Sequence, residues 1–399
     1  MNTEASSCGG VLAAERRLPL ESVRVWPLAE RRSLSRLTDI LISPDADVGP
    51  VAPVLESALD EAAEKIRAAR SRGASVMLIY GAHLIKNGLM DVVIRLLEGG
   101  WVTHLATNGA GTIHDWELAY LGRTEESVRA HVVEGCFGTW DETGRYLHLA
   151  LMAGAVRGEG WGRSLGRFIV EDGVELPPVG ELEAAIRREP RHPLAGARAE
   201  LLQAMVRHGL GGGRVEVRHQ YKEHSLLARA FLSGVPFTVH PGIGYDIIAT
   251  HPWFNGAVLG RAGGWDFAAF GASVDRLDGG VVLSVGSAIM GPQVFEKSLS
   301  CVNNLRRQSG RPRVEGHTIF VVDLQDGGGW DWSKGEPPKE HPAYYLRFCK
   351  SYVRMGGTMR YVQCDNRVFL LSLWRRLRAW SDGAGHSGSA GVGGKEACA

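Results

Sequence analysis

The sequence lacks several features that would assign it to a specialised class of protein. It has no run of about 18 apolar residues, the length that a membrane-spanning helix needs, and no basic start followed by an apolar core. Its 6 cysteines form no CxxC pair and no dense framework, which favours a reduced, cytoplasmic protein. Neither charge dominates, with 45 basic against 44 acidic residues, so we expect neither nucleic acid nor a membrane as partner.

Length and apolar content are sufficient for a large core. The chain has 399 residues, of which 44% are hydrophobic. Residues 1–50 are irregular and carry prolines at positions 19, 27, 44 and 50, which predicts an extended arm packed on a neighbouring subunit. Residues 381–399 are rich in glycine and serine and are predicted to be a disordered tail. Residues 51–380 are predicted to form one domain.

The stretch from Ser75 to Gly122 has the pattern of a strand–helix–strand unit. Residues 76–80 and 102–106 are short apolar runs, and residues 84–97 between them have apolar positions at helical spacing. The glycines of the following segment, 107–111, allow the backbone to approach a ligand closely, and a helix over 112–120 would offer free N–H groups to a pyrophosphate. A plain tight turn explains these residues equally well, because the GxGxxG fingerprint is absent.

Repeated strand–turn–helix units later in the chain predict the fold class. Strands are expected at 236–240, 281–285 and 318–324, and a last strand and helix within 360–380. A helical block at about 123–210 is expected to begin at Thr124-Glu125-Glu126-Ser127 and to be followed by a flexible joint at Gly211-Gly212-Gly213. We therefore predict an α/β fold with a Rossmann-like, doubly wound, mainly parallel sheet and a helical insertion.

The order of these elements and several short motifs resemble the deoxyhypusine synthase family over residues 52–375. Residues 80–88, YGAHLIKNG, lie where the family has a Gly-Tyr-Thr-Ser-Asn-Leu-Ile-Ser-Ser-Gly loop, and residues 107–115 lie where it has Thr-Thr-Ala-Gly-Gly-Val-Glu-Glu-Asp. Residues 244–246, 323–325 and 365–369 are similar, in the same order, to its Gly-Asp, Asn-Thr-Ala-Gln and Ala-Asp-Ala-Ser-Leu-Val-Phe motifs.

The resemblance implies bound NAD, a homotetramer, and transfer of an aminoalkyl group from a polyamine such as spermidine to an amine acceptor through an imine. It implies that Lys350 is the nucleophile, since Phe348-Cys349-Lys350 lies nearest to the family's Trp-Gly-Lys, and that Asp246 and Asp331 bind the ammonium groups of the polyamine. The cofactor-binding residues implied by the resemblance are Ala82, His83, Lys86, Thr107, Asn108, Gly109, His114, Gly286, Ser287, Asp323 and Asp365.

Three departures from the family keep the chemistry open. The catalytic histidine that follows a triple glycine in the family is absent after Val285-Gly286-Ser287, His114 replaces a glutamate that contacts the NAD ribose, and His83 replaces an asparagine. The alternatives are a different NAD-assisted amine reaction, such as deamination, or an NAD-binding protein that has lost transferase activity.

Other side chains have two interpretations each. Trp330 and Trp332, in the polar loop 325–340, form either a lid that binds a cation or an anchor of the loop on the core. Lys350 is either an imine-forming nucleophile or a surface lysine. His114, His240 and His251 have no common ligand spacing, so no metal site is predicted.

Overall fold

One large parallel sheet organises residues 17–387, the part of the chain that the computed structural model describes. The predictions for residues 1–16 and 388–399, the outer ends of the arm and the tail, lie outside these residues. The strands are β1 (Ser35–Arg36), β2 (Val76–Tyr80), β3 (His104–Thr107), β4 (Arg123–Thr124), β5 (Gly173–Leu176), β6 (Gly213–Glu216), β7 (Phe237–Val239), β8 (Val281–Val285), β9 (Thr318–Asp323) and β10 (Thr358–Gln363). The helices are α1 (Leu37–Ile40), α2 (Pro53–Ser71), α3 (His83–Lys86), α4 (Met90–Glu98), α5 (Gly109–Leu121), α6 (Val128–Glu134), α7 (Asp141–Ala155), α8 (Trp161–Val170), α9 (Val179–Arg188), α10 (Ala195–His208), α11 (Leu226–Leu232), α12 (Gly256–Val274), α13 (Met290–Gln308), α14 (Arg347–Val353) and α15 (Asn366–Ser387).

The strand order is that of a Rossmann-like fold. The 6-stranded sheet has the order β10-β9-β8-β2-β3-β7, and every neighbouring pair is parallel. If the six strands are numbered 1 to 6 along the chain, starting with β2, their order across the sheet from β7 to β10 is 3-2-1-4-5-6. The direction of winding reverses between β2 and β8. The predicted Rossmann-like, doubly wound α/β fold is confirmed.

Alternate residues of each central strand pack on opposite helical layers. Leu78 and Tyr80 of β2 belong to a core cluster with residues of α2, α4 and α15, whereas Met77 and Ile79 belong to a cluster with α12, α13 and α14. Every residue of β2 and β8 is buried, as expected of parallel strands covered on both faces.

Between α5 and β7, helices α6 to α10 and an antiparallel pair of strands fill the predicted helical block. The flexible joint predicted at 211–213 is wrong, because Gly213 begins β6 and pairs with Leu176 of β5. The helix start predicted at Thr124 is also wrong. Thr124 pairs with Ser35 across β4 and β1, and α6 begins at Val128, where the Ser127 side chain accepts the Ala130 N–H at 3.3 Å.

The two ends of the described chain contain helices that the sequence did not predict. Residues 17–50 include α1 and pack on their own chain, where Leu28, for example, is fully buried. Packing of the predicted arm on a neighbouring subunit stays a prediction. At the other end, α15 continues to Ser387, so residues 381–387 are helical although the predicted tail begins at 381. Within residues 17–387, no helix combines the length and apolar character needed to cross a bilayer.

Candidate functional site

Two glycine backbones meet where the winding of the sheet reverses. Gly81 follows β2 and Gly286 follows β8, and Gly286 has a positive φ of +60°. A Cβ atom on Gly81 would lie 2.3 Å from the Gly286 carbonyl oxygen, so residue 81 has no room for a side chain. This crevice at the carboxyl ends of the strands is where open α/β sheets bind ligands.

Unpaired backbone donors flank the contact between the two glycines. Among the described residues, no protein acceptor pairs with the backbone N–H groups of Ala82, His83, Ser287 or Ala288. Such groups at a strand end can bind the phosphate oxygens of a dinucleotide. The crevice therefore fits a pyrophosphate, although its loop departs from the GxGxxG pattern.

A first cavity, of about 220 Å³, opens on the β8–β10 side of the crevice. Its lining residues are His83, Asn87, Gly286, Val322, Asp323, Leu324, Cys364 and Asn366. Asn87 Nδ2 donates to Asn366 Oδ1 at 2.9 Å and so joins the loop after β2 to the start of α15. The Asp323 carboxylate follows β9 and accepts the Gln325 N–H at 3.1 Å, which leaves it further acceptor positions for a ligand.

Two predicted cofactor-binding residues beside this cavity form side-chain hydrogen bonds with residues close to them in the sequence. Ser287 Oγ accepts the Gly291 N–H at 3.1 Å, at the start of α13. The Asp365 carboxylate accepts from the Arg367 backbone N–H at 2.8 Å and from its Nε at 3.1 Å. Their binding to NAD stays a prediction.

A second cavity, of about 250 Å³, lies at the ends of β3 and β7. Its lining residues are Arg31, Lys86, Ala110, Ile113, His114, Glu117, Glu125, Glu126, Val128, Phe137, Tyr245, Asp246 and Ile247. It brings together three of the predicted residues, Lys86, His114 and Asp246. Besides apolar side chains, its wall carries four carboxylates, those of Glu117, Glu125, Glu126 and Asp246. It also carries two cationic side chains, Arg31 and Lys86, and each of these forms an ion pair within the cavity.

Asp246 occupies the start of α5, where the sequence predicted a phosphate. Its carboxylate accepts the Gly242 N–H at 2.8 Å, and the N–H groups of Gly109 and Ala110 also hydrogen-bond to it. The side chain is only 4% exposed, and burial raises its pKa in spite of these donors. A Cβ on Gly109 would collide with this carboxylate at 2.4 Å, so Gly109 makes room for Asp246.

Two neighbouring residues that were predicted to bind the cofactor, Thr107 and Asn108, form hydrogen bonds with backbone groups. Thr107 Oγ1 donates to the Tyr80 carbonyl at 2.9 Å, and the Asn108 side chain accepts the Gly111 N–H at 2.9 Å as the cap of α5. Both contacts fix the loop beside the second cavity. A direct contact of either residue with NAD stays a prediction.

A chain of hydrogen bonds fixes the proton on His114. Arg31 forms two hydrogen bonds of 2.8 Å with Glu117, and Thr124 Oγ1 donates to Glu117 at 2.6 Å. Because the threonine hydroxyl has only one proton to give, His114 Nδ1–H donates to Thr124 Oγ1 at 2.7 Å, and Nε2 carries the lone pair. Burial lowers the pKa of His114 to about 4, so the ring is neutral near pH 7.

The sequence did not identify Glu125 as a site residue, because its position suggested the first turn of a helix. The structure gives Glu125 a positive φ of +69° and directs its carboxylate to Lys86 Nζ at 2.5 Å and to Ser35 Oγ at 2.7 Å. The proximity of Glu117 to His114 could have been predicted, since residues three apart lie on one face of a helix. The contact of Arg31 with Glu117 could not, because the two residues are distant in the sequence.

Two residues predicted to be catalytic lie away from both cavities. Lys350 is on α14 and places its ammonium 3.7 Å from the centre of the Tyr344 ring. Asp331 is in the loop after β9, where its carboxylate accepts the Ser333 N–H at 3.1 Å. Because β7 and β9 are four strand spacings apart, roughly 19 Å, the sheet separates Asp246 from Asp331.

The tryptophans of the loop after β9 are anchors. Trp332 is 2% exposed and donates its Nε1–H to the Gly327 carbonyl at 3.0 Å. Trp330 donates to the Gly335 carbonyl at 2.9 Å. Of the two interpretations, the structure therefore favours anchoring of the loop on the core over a cation-binding lid.

Comparison with known proteins gives similar arrangements at very low sequence identity. No family model matches the sequence, and no curated protein matches it. Among solved structures, AgrE with ornithine and NAD+ has a TM-score of 0.40 at 13% identity, over 84% of this chain and 34% of AgrE. A protein from Entamoeba histolytica assigned as a deoxyhypusine synthase has a TM-score of 0.38 at 10% identity, over 82% of this chain and 90% of its own.

The arginine dihydrolase ArgZ, from cyanobacteria, has a TM-score of 0.38 at 14% identity, over 81% of this chain and 33% of its own. The chain thus spans about a third of AgrE and of ArgZ. Similarities at this level carry no argument about activity. The assignment of the fold rests on the strand order itself.

Proposed function

We propose that this protein binds NAD at the crevice between β2 and β8 and oxidises an amine whose ammonium group binds in the second cavity. The observation that supports this proposal most is the contact between Gly81 and Gly286, flanked by free N–H groups at the reversal of winding. Ala82, His83 and Ser287 would contact the pyrophosphate through their backbone, and Asp323 a ribose hydroxyl.

The charges of the second cavity favour a cationic substrate. Lys86 is paired with Glu125 and Arg31 with Glu117, and Glu126 hydrogen-bonds to His131, so the carboxylate of Asp246 has no cationic partner among the described residues of this cavity. Asp246 would bind the ammonium, and its raised pKa makes it a better acceptor for the proton that the amine must lose. The Nε2 lone pair of His114 would accept a second hydrogen bond from the same nitrogen.

Bound NAD would accept a hydride from the carbon that carries the amine, which leaves an imine. Water can then add to that imine and release a carbonyl compound and ammonia, which is deamination with net formation of NADH. A second amine can instead displace the leaving amine and form a new imine, and return of the hydride to that imine completes the transfer with no net NADH. The position of Lys350 over Tyr344, outside both cavities, favours the route without a covalent lysine intermediate. Transfer of an aminoalkyl group from a polyamine through Lys350 is the second candidate, supported by the sequence resemblance.

Cofactor binding is tested by calorimetry with NAD on the purified chain. Gly81→Ala places a methyl group against the Gly286 carbonyl and is expected to weaken binding at least about tenfold, because a shift of the loop also moves the free N–H groups. Gly264→Ala is the matched control, since a Cβ there meets nothing within 4 Å. Absence of NAD binding would refute the redox mechanism and leave a non-redox protein of this fold.

The reaction is tested by following NADH formation with ornithine, arginine and spermidine as trial amines. Asp246→Asn is expected to raise KM for the amine about tenfold or more, whereas Asp331→Asn, in an exposed loop, is expected to change little. Lys350→Ala separates the two candidates. Retained net formation of NADH in this variant supports direct oxidation. Transfer through the lysine forms no net NADH and is followed by chromatography of the amine products, whose loss in a folded variant supports that route.

A further inference from the structure

The end of α6 brings a nitrogen, an oxygen and a sulfur ligand to one place. One ring nitrogen of His131, a carboxylate oxygen of Glu134 and Sγ of Cys136 all lie within 4.8 Å of one another. They meet because α6 ends at Gly135, whose left-handed conformation at φ +71° turns the chain back. The Cys136 N–H then reaches the His131 carbonyl at 2.9 Å, which places the thiol beside the ring.

A buried carboxylate orients the histidine as in metal centres. Glu126 Oε2 lies 2.5 Å from His131 Nδ1 and also accepts Trp140 Nε1–H at 3.0 Å, while Oε1 accepts the Gly138 N–H at 3.0 Å. Histidines that bind metals commonly donate their other ring N–H to such a carboxylate. The contact leaves Nε2 of His131 as the nitrogen that a metal would use.

We propose that His131, Glu134 and Cys136 bind a divalent transition-metal ion, for which zinc is the best fit. Zinc prefers four ligands of this mixed nitrogen, sulfur and oxygen type in a tetrahedral arrangement. Glu134 Oε2 and Cys136 Sγ are 3.7 Å apart, close to the roughly 3.5 Å between two ligands on one tetrahedral zinc ion. A ring nitrogen of His131 lies within 4.8 Å of both atoms, so it needs to approach them by at most about 1 Å.

The surroundings leave a fourth position and supply negative charge. A cavity of about 550 Å³ opens beside the three ligands, with Glu30 also on its wall, so water or this carboxylate can complete the coordination. The carboxylates of Glu134, Glu126 and Glu30 supply negative charge near this position. A metal cation would replace the thiol proton of Cys136 and hold the sulfur as a thiolate.

The metal would fix one wall of the proposed amine site. Glu126, which orients His131, also lines the second cavity, together with Val128 on α6 and Phe137 just after it. Coordination at the end of α6 would hold these residues in place. The metal centre is independent of NAD, so its test and the test of the proposed function can fail separately.

Metal binding is tested on the full chain, stripped with a chelator and titrated with zinc in competition with a chromophoric chelator. Cobalt(II) replaces zinc for spectroscopy. We expect one equivalent of metal, intense tetrahedral bands of bound cobalt, and a thiolate charge-transfer band. Cys136→Ser is expected to abolish that band and to weaken binding at least about tenfold, whereas Glu126→Gln is expected to keep the band and weaken binding about 10- to 100-fold.

Cys301→Ser is the matched control, because Cys301 is an exposed free cysteine on α13. All variants are made in a background with Cys8→Ser and Cys398→Ser, and circular dichroism checks their folding. A charge-transfer band that survives in a folded Cys136→Ser variant would overturn the proposal. So would failure of the unmodified chain to take zinc from a chelator of micromolar affinity.

Discussion

Among single residues, Arg31 connects the N-terminal segment to the candidate site. Its guanidinium is 3% exposed and Glu117 is 1% exposed, and the two form a bidentate pair. Removal of one partner leaves the other charge buried without compensation, which costs far more than the loss of an exposed pair. The same carboxylate holds Thr124, which in turn holds His114.

We predict that Arg31→Ala lowers the free energy of unfolding by about 3–5 kcal/mol. Chemical denaturation measures this change. Arg311→Ala is the matched control, because Arg311 forms an exposed pair of 3.0 Å with Asp275 and should cost only about 0–1 kcal/mol. Equal costs for the two variants would show that Glu117 is stable without its partner.

The residue scale also shows how much of the site the sequence could predict. His83, Gly286 and Asp323 meet at the first cavity because each lies near the carboxyl end of a parallel strand, and those ends can be predicted from apolar runs. Their binding to NAD was inferred from the resemblance and stays a prediction. The contacts of Arg31 and Glu125 could not be predicted, since they depend on how the N-terminal segment packs. The positions of Lys350 and Asp331 were inferred only from the resemblance, and neither lies at the two cavities.

Among the elements, the loop after β2 depends on one glycine. The sequence predicts a single helix over 84–97, but Gly88, at φ +73°, separates α3 from α4. A Cβ on Gly88 would lie 1.8 Å from the Ile40 carbonyl oxygen, and Gly88 accepts the Ile42 N–H at 3.0 Å. The N-terminal segment thus contacts the segment after β2 at the break between α3 and α4.

We predict that Gly88→Ala destabilises the fold by about 1–3 kcal/mol more than Gly73→Ala. Gly73 is a matched control, because it has a similar φ of +69° and a Cβ there meets nothing within 4 Å. In both variants an alanine must adopt a left-handed conformation, which is unfavourable. Only in Gly88→Ala must the backbone at Ile40 also move to make room for the new Cβ. Thermal unfolding of the two variants measures the difference, and equal melting temperatures would contradict the clash.

The elements that the sequence predicts well are those with local signals. The limits predicted for β2 and β8 agree with the structure, because both are short apolar runs between turns. Strands β5 and β6 were not predicted, since their pairing depends on contacts distant in the sequence. Helix α12 begins at Gly256, where the Asn255 side chain accepts the N–H groups of Ala257 and Val258 as a cap.

For the whole molecule, we expect buried histidines to make the largest contribution to the loss of folding stability at low pH. Burial lowers the pKa to about 3 for His104 and His148, and to about 4 for His114, His219, His240 and His251. The unfolded chain binds these protons near pH 6.5, so between pH 6.5 and 4 it carries more protons than the folded chain. Their contribution to stability is complete above pH 6.5 and is lost as the pH falls through 4.

Buried carboxyl groups act in the opposite direction. Burial raises the pKa of Asp246 and raises that of two other aspartates further. Burial raises the pKa of Asp115 to about 6 and of Asp266 to about 7. The folded chain therefore binds these two protons more tightly, and their contribution to stability decreases as the pH rises from the usual 3.8 of aspartate through these values. The histidines outnumber them, so their effect should prevail.

We predict that the melting temperature falls as the pH is lowered from 6.5 to 4, and that unfolding at about pH 5 takes up protons. Calorimetry in two buffers of different ionisation enthalpy measures this uptake directly. At about pH 8 the histidine contribution to the uptake should vanish. Proton release on unfolding at about pH 5 would show that the two carboxyl groups prevail instead.

In the proposed amine site, the carboxylate of Asp246 would also determine which sign of charge the second cavity binds. It covers the N–H groups of Gly109, Ala110 and Gly242, which without it would form a phosphate-binding nest at the start of α5. One nucleotide change in its codon, to glycine or alanine, would remove the carboxylate and leave the three donors in place. In the proposed site, a single mutation would therefore replace an acceptor for an ammonium group with a set of donors that a phosphate can use.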